Sequence, residues 1–215
     1  MNTSETCVTK GISELNSALS FGLHQLNIAL PKSDLIKIIE YIELLRKWNR
    51  IHNLTSISNP KHILIKHIFD SLAVRRYIIG PKILDFGSGP GLPGIPLAIA
   101  LPECQFVLLD SAGKKTIFLN HVRFSLGLKN VLIVNKRVEK FRPDYKFDTV
   151  ITRATTTIDS IFKITQNLLS KGSNLLIMKG KYPHEEFKEF KKCFEIERIM
   201  VPYLNEDRHL VKIPI

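Results

Sequence analysis

Residues 83–91 read Ile-Leu-Asp-Phe-Gly-Ser-Gly-Pro-Gly: a short apolar run, an acid, then three glycines at alternate positions. Ile83 and Leu84 suit a buried strand. Gly87, Gly89 and Gly91 allow a tight turn whose backbone carries no Cβ to hold a ligand away. The segment from Leu92 to Leu101 is apolar and helix-compatible, with Pro93 and Pro96 tolerated only in a first turn, where no backbone donor is missed. Strand, glycine turn and helix N-terminus in this order point to an α/β fold with a nucleotide-like cofactor held at the turn.

The turn alone leaves the cofactor class open. Gly89-Pro-Gly91-Leu-Pro-Gly94 satisfies the G-x-G-x-x-G spacing of a dinucleotide site. The next strand, Gln105 to Leu109, ends in Asp110, about 20 residues beyond the glycines, where an acid can accept both ribose hydroxyls. Nicotinamide and S-adenosylmethionine enzymes share that arrangement. A nicotinamide oxidoreductase would also need a substrate domain, for which 215 residues leave no room. Asp85 ahead of the alternate glycines, as Asp-x-Gly-x-Gly-x-Gly, resembles the first motif of S-adenosylmethionine-dependent methyltransferases.

A chain of this length with 44% hydrophobic residues buries one good core, so one domain with an extension is expected. Lys and Arg outnumber Asp and Glu by 31 to 20, and the net charge of +11 favours a polyanionic partner, nucleic acid first. The excess is spread along the chain from residue 31 onward, which predicts a basic face and not a basic tail. Cys7, Cys104 and Cys193 are too few and too far apart for a disulfide framework, and fit a reducing cytoplasm. No H-E-x-x-H pattern occurs among the seven histidines, so no metal site is expected. With no run of 18 apolar residues and no basic, apolar start, nothing targets the chain to a membrane.

Ser33 to His52 places Leu35, Ile38, Ile39, Ile42, Leu45 and Trp48 on one helical face. Asn59-Pro60 caps a second helix running to about Tyr77, and Gly80-Pro81 stops it. The pattern then alternates: strand 82–86, helix 93–101, strand 105–110, helix 113–126, strand 131–135, strand 147–152, helix 158–169 and strand 174–179. Arg137 to Phe141 supplies a turn or two. A helix over 185–194 and two strands, 197–203 and 208–213, close the chain. This is a βαβ series with a final hairpin. A parallel sheet of this kind binds ligand beyond its carboxyl ends, which here carry Asp85, Asp110, Asn135 to Arg137, Arg153 and Lys179.

An ordered set of segments resembles one family. Leu44-Leu-Arg-Lys-Trp-Asn-Arg-Ile-His-Asn-Leu-Thr-Ser56, His67-Ile-Phe-Asp-Ser71, Leu84 to Pro96, Leu108-Leu-Asp-Ser111, Arg137-Val-Glu139, Thr152-Arg-Ala154, Lys179-Gly180 and Arg208-His-Leu210 are similar to the bacterial RsmG or GidB methyltransferases, which modify guanine N7 in 16S ribosomal RNA. The resemblance covers roughly Ile38 to Ile213 and leaves residues 1–30 without a role. Phe86 stands where the family often has an aliphatic residue, and Gly113-Lys114-Lys115 where a Lys-Arg pair is usual.

The resemblance implies a Rossmann-like methyltransferase fold: a mostly parallel seven-stranded sheet with a C-terminal antiparallel hairpin, a helical extension over 1–80 and a methyltransferase domain over 81–215. It implies S-adenosylmethionine as cofactor. Gly87 and the backbone around Leu92 would lie against its methionine part and ribose, with Gly89 and Gly91 keeping the turn open. Asp110 would hold the ribose hydroxyls, and Val138 and Glu139 would frame the adenine. Arg153 would sit at the reactive end; its alternative is a structural pairing with Asp85 or Asp110. The substrate would be 16S ribosomal RNA or the small subunit, met by a monomer in the cytoplasm. Arg46, Lys47, Arg50, Lys114, Lys115, Lys179, Lys181 and Arg208 are the candidates for touching RNA. A ribosome-binding protein that keeps the cofactor fold without turnover is the other reading.

Guanine N7 carries an exposed lone pair, so methyl transfer to it needs alignment and exclusion of water, with no covalent nucleophile and no general base. Thr152-Arg-Ala-Thr stands where enzymes of exocyclic amines carry Asn-Pro-Pro-Tyr or Asp-Pro-Pro-Tyr, and no Pro-Cys is placed to attack a pyrimidine. No catalytic acid or base is assigned.

Overall fold

The computed structural model describes residues 3–153 and 156–215, so Ala154 and Thr155 of the Thr152-Arg-Ala-Thr segment lie outside the described residues. Seven strands form one sheet: β1 (Lys82–Phe86), β2 (Gln105–Asp110), β3 (Val131–Asn135), β4 (Phe147–Thr152), β5 (Leu169–Lys179), β6 (Glu195–Arg198) and β7 (His209–Pro214). Their order is β3-β2-β1-β4-β5-β7-β6. The first five are parallel; β7 runs antiparallel to β5 and to β6. Strand order reverses between β1 and β4, the switch point where open sheets of this kind leave a crevice.

Alternation along the strands feeds two cores. Ile83, Phe106, Leu108, Ile151 and Leu176 face one layer, while Leu84, Val107, Leu109, Val150, Leu175 and Ile177 face the other. The first layer holds α1 (Thr3–Gln25), α2 (Lys32–His52), α5 (Gly94–Ala100) and α6 (Gly113–Ser125), and the second holds α7 (Ile158–Thr165). Both a short α3 (Pro60–Ile63) and α4 (Asp70–Leu72) flank a π-helical turn, Leu64–Phe69. α8 is His184–Glu189.

The N-terminal segment that the sequence left without a role is a helix whose Leu15, Leu19 and Leu23 are buried at intervals of four in the core shared with α2 and the sheet. Gly22 is there for contact: a Cβ on it would meet the Phe69 ring at 2.2 Å. On α2, Ile38, Tyr41, Ile42 and Leu45 are fully buried, and Trp48 tilts against Phe118 of α6 at 5.6 Å.

Several boundaries differ from the sequence reading. The second helix takes π geometry over Leu64–Phe69 and ends at Leu72, where Val74 leaves helical torsion (φ -95, ψ 0) before a 3-10 turn at Arg75–Tyr77. Helix 158–169 stops at Thr165, and β5 begins at Leu169; Gly172 at φ +81 and a register shift near Phe147 let that early stretch join the sheet. The last helix ends at Glu189. Strand 197–203 is instead Glu195–Arg198, because Pro202 lacks a ladder donor and Tyr203 turns to φ +62. Ile199 and Val201, which mimic strand alternation, tuck into the first core from a loop.

Candidate functional site

The glycines after β1 divide into two jobs. Gly91 (φ +102) and Gly94 are required by packing: a Cβ would lie 2.5 Å from Ile95 Cγ1 at the first and 2.6 Å from Asp85 Oδ2 at the second. Gly87 (φ +66) and Gly89 (φ +60) face space, with nothing within 4 Å of a Cβ at Gly87 and only the Gly87 carbonyl, at 3.9 Å, near one at Gly89. Asp85 is fully buried beneath them; its Oδ2 accepts the Gly94 N–H at 2.8 Å, and its Oδ1 is buried with no partner. Burial pushes its carboxyl up to about 7, against the Gly94 bond and the Arg153 charge, which pull it down. Tyr41 braces the turn by donating to the Pro90 carbonyl at 2.8 Å. Leu92 is buried behind the turn, its N–H bonded to Ser88 O at 2.8 Å.

Asp110 closes β2 and locks the turn from the other side. Its Oδ2 accepts the Gly89 N–H and its Oδ1 the Ala112 N–H, each at 2.8 Å, and Lys115 Nζ stands 3.7 Å away. Between the turn and the 3-10 turn Val138–Lys140 lies a cleft of about 310 Å³, lined by Phe86, Gly87, Asp110, Val138 and Glu139 among others. Open space over two glycines, an acid at the next strand end and one apolar and one acidic wall residue together fit an adenosine-type cofactor.

Arg153 does not join this wall. Its Nη2 lies 3.1 Å from Asp70 Oδ2, which corrects the alternative pairing with Asp85 or Asp110. Arg208 Nε donates to the other oxygen, Asp70 Oδ1, at 3.0 Å. These residues, with Met178, Lys179 and Gly180, surround a second cleft of about 240 Å³ at the same sheet rim. Thr152 Oγ1 donates to Phe86 O at 2.9 Å, so the end of β4 is tied to the wall of the first cleft. Asp70 is the site residue that sequence reasoning missed. Its signal was an acid inside an apolar helical run, between Phe69 and Leu72. One turn earlier, burial lowers His67 to about 4, so the ring is neutral: Nδ1–H donates to Lys66 O (3.0 Å) and Nε2 accepts the Thr55 hydroxyl (2.9 Å).

The eight basic candidates fall into three groups. Arg46, Lys47 and Arg50 line a groove of about 660 Å³ between α2 and α6, with Arg46 held by Glu43 at 2.9 Å. Lys114 and Lys115 open α6, the former donating to His52 O at 3.2 Å, the latter on the first cleft. Lys179 is paired with Glu186 at 2.9 Å and Arg208 with Asp70 and Glu206, while Lys181 is exposed.

The model of the GidB family, rRNA small subunit methyltransferase G, matches residues 34–211. The chain is 45% identical over 198 residues to the ribosomal RNA small subunit methyltransferase G of Nitrosococcus oceani, covering 91% of this chain and 92% of that one. It is 46% identical over 180 residues to the protein of the same name in Psychromonas ingrahamii, covering 82% and 87%. Among solved structures, an O-methyltransferase from Bacillus cereus, in complex with SAH, superposes with a TM-score of 0.61 at 14% identity, over 94% of this chain and all of that one. A SAM-dependent methyltransferase from Aquifex aeolicus gives 0.57 at 16%, over 76% and 97%. These two establish the fold, with the sheet and C-terminal hairpin that the order of elements and the resemblance implied. The family match and the curated relatives go further: this chain belongs to the GidB family, rRNA small subunit methyltransferase G.

Proposed function

We propose that this protein transfers a methyl group from S-adenosylmethionine to N7 of a guanine in 16S ribosomal RNA. The observation that carries the cofactor side is the cleft itself: two glycines at positive φ with open space above them, facing Asp110, Val138 and Glu139. In this reading residues 81–215 are the methyltransferase unit and residues 1–80 an extension packed on it. The protein acts as a monomer in the cytoplasm, on the RNA or the small subunit.

S-adenosylmethionine, when bound, supplies an electrophilic methyl on a cationic sulfur. Gly87 and Gly89 let the backbone approach the cofactor, and Leu92 keeps the turn seated. Asp110 accepts the ribose hydroxyls with the lone pairs not used by Gly89 and Ala112. Val138 packs on the adenine and Glu139 meets its polar edge. Arg153 closes the rim at the reactive end. Guanine N7 needs no base, so these residues act by orientation and by exclusion of water. Lys47, Arg50, Lys114 and Lys181, which meet no carboxylate among the described residues, favour the RNA backbone.

The test is transfer of labelled methyl to ribosomal RNA from cells lacking the gene, with the modified nucleoside identified by mass spectrometry. Label in 7-methylguanosine of small-subunit RNA is the expected result. A protein that binds the cofactor yet labels neither RNA nor intact subunits would contradict turnover and favour the non-catalytic reading.

A further inference from the structure

The second cleft has a composition that selects its occupant. Three cations stand on its wall, and each is already met by a carboxylate: Arg153 by Asp70 at 3.1 Å, Arg208 by Asp70 at 3.0 Å and by Glu206 at 3.1 Å, and Lys179 by Glu186 at 2.9 Å. A phosphate entering here would have to displace a carboxylate that is already bonded, so the charge it gains is small. An uncharged base displaces no carboxylate. The volume of about 240 Å³ holds one base, and the Met178 thioether offers a polarisable surface for its face. Through Thr152 and Phe86 the cleft adjoins the cofactor cleft, where an acceptor must lie.

We infer that this cleft receives the guanine to be methylated, and that Asp70 restricts Arg153 to a single hydrogen bond, with the guanine O6. The inference rests on the function proposed above. Arginine ordinarily grips guanine with two N–H groups, one on O6 and one on N7. Such a grip would occupy the N7 lone pair that must attack. In this protein Nη1 is buried without a hydrogen-bond partner, out of a base's reach, and Nη2 lies 3.1 Å from Asp70 Oδ2. With Nη1 covered and Nη2 drawn to Asp70, the Nη1–Nη2 fork is closed to a base, and a single N–H given to O6 leaves N7 free. Adenine would bring its N6 amino group, a donor, against that donor, so the same arrangement rejects it. Asp70 is therefore a positioning residue, 2% exposed and acting through Arg153, and it comes from the helical extension and not from the sheet.

The test uses the full-length protein and small-subunit RNA in which the modified guanosine, once located, is replaced by 2-aminopurine riboside, which keeps N7 and lacks O6. Wild-type protein should methylate it with kcat/KM lower by about 10- to 100-fold, the range for a hydrogen bond to a charged donor. Arg153→Gln should lower the rate on guanine while removing most of that discrimination, which separates O6 pairing from other differences between the two bases. Asp70→Ala removes the acceptor facing Nη2, so kcat on guanine should fall while KM for RNA stays level or drops, and 2-aminopurine RNA should show no such kcat loss. Equal kcat/KM on the two RNAs by wild-type protein would overturn the O6 pairing, whether or not the Asp70 variant folds. A matched loss on both RNAs with a raised KM in Asp70→Ala would reduce Asp70 to a structural role and overturn the positioning. Failure of wild-type protein to methylate any guanine would instead remove the underlying function.

Discussion

At the scale of single residues, neighbouring glycines separate binding from stability. Gly91→Ala forces a Cβ to 2.5 Å from Ile95 and 2.8 Å from Leu119, and should destabilise the fold by about 1–3 kcal/mol in denaturant titration. Gly87→Val meets open space, so its main effect should be loss of cofactor binding in a calorimetric titration, with a strain cost of about 1–2 kcal/mol for its positive φ. The reverse ranking would show that the space above Gly87 is not the ligand's. If Asp110 accepts the ribose hydroxyls as proposed, Asp110→Ala should weaken cofactor binding by about 10- to 100-fold, and it frees the Gly89 N–H as well. Unchanged affinity would remove Asp110 from the site. Asp85 gives a pH test. Its carboxyl is raised from 3.8 to about 7, so the folded chain holds the proton more tightly than the unfolded one. Its contribution to stability is full below about pH 4 and declines until about pH 7. The stability of wild type relative to Asp85→Asn should therefore fall across that window, by up to about 4 kcal/mol at roughly 1.4 kcal/mol per unit. A difference independent of pH would mean that Asp85 stays ionised throughout.

At the scale of elements, the π-helical turn at Leu64–Phe69 matters most, because it carries His67 and leads into Asp70. Turns of this geometry inside helices recur at functional sites, and here the wider turn sits where Arg153 and Arg208 converge on Asp70. The loop after α2 pins it through the Thr55 hydroxyl on His67 Nε2. Thr55→Val would leave that buried nitrogen without a donor, at a cost of about 1–3 kcal/mol in denaturant unfolding. Unaltered stability would show that water replaces the hydroxyl. The helical periodicity of this stretch is legible, since Ile63, Leu64, Ile68 and Leu72 are all buried as an apolar face requires. The added π residue is not, because it depends on how the turn docks against the rim. Similarly, Ile199 and Val201 alternate as a strand does, and their packing into the first core, with Pro202 and the positive φ of Tyr203 just beyond, keeps them out of the sheet.

At the scale of the whole molecule, a net charge of +11 remains after the ion pairs form, and RNA binding should weaken steeply with added salt. Replacing Lys47 and Arg50 by Glu should flatten the slope of log affinity against log salt by about 2, if both contact phosphate. An unchanged slope would move the RNA path away from the α2–α6 groove. By itself the sequence determined the strand–turn–helix at 82–100, the acids at the carboxyl ends of β1 and β2, and the alternation of elements. These follow from backbone torsion and from apolar periodicity, which act over a few residues. The partners of the rim cations were decided by tertiary structure alone. Asp70 and Arg208 are 138 positions apart, and nothing local to either announces the other. Which arginines and lysines stay free for RNA, which are neutralised, and which helix supplies the carboxylate between them depend on how the N-terminal helices dock on the sheet, since an ion pair is chosen by proximity in space and not by order along the chain.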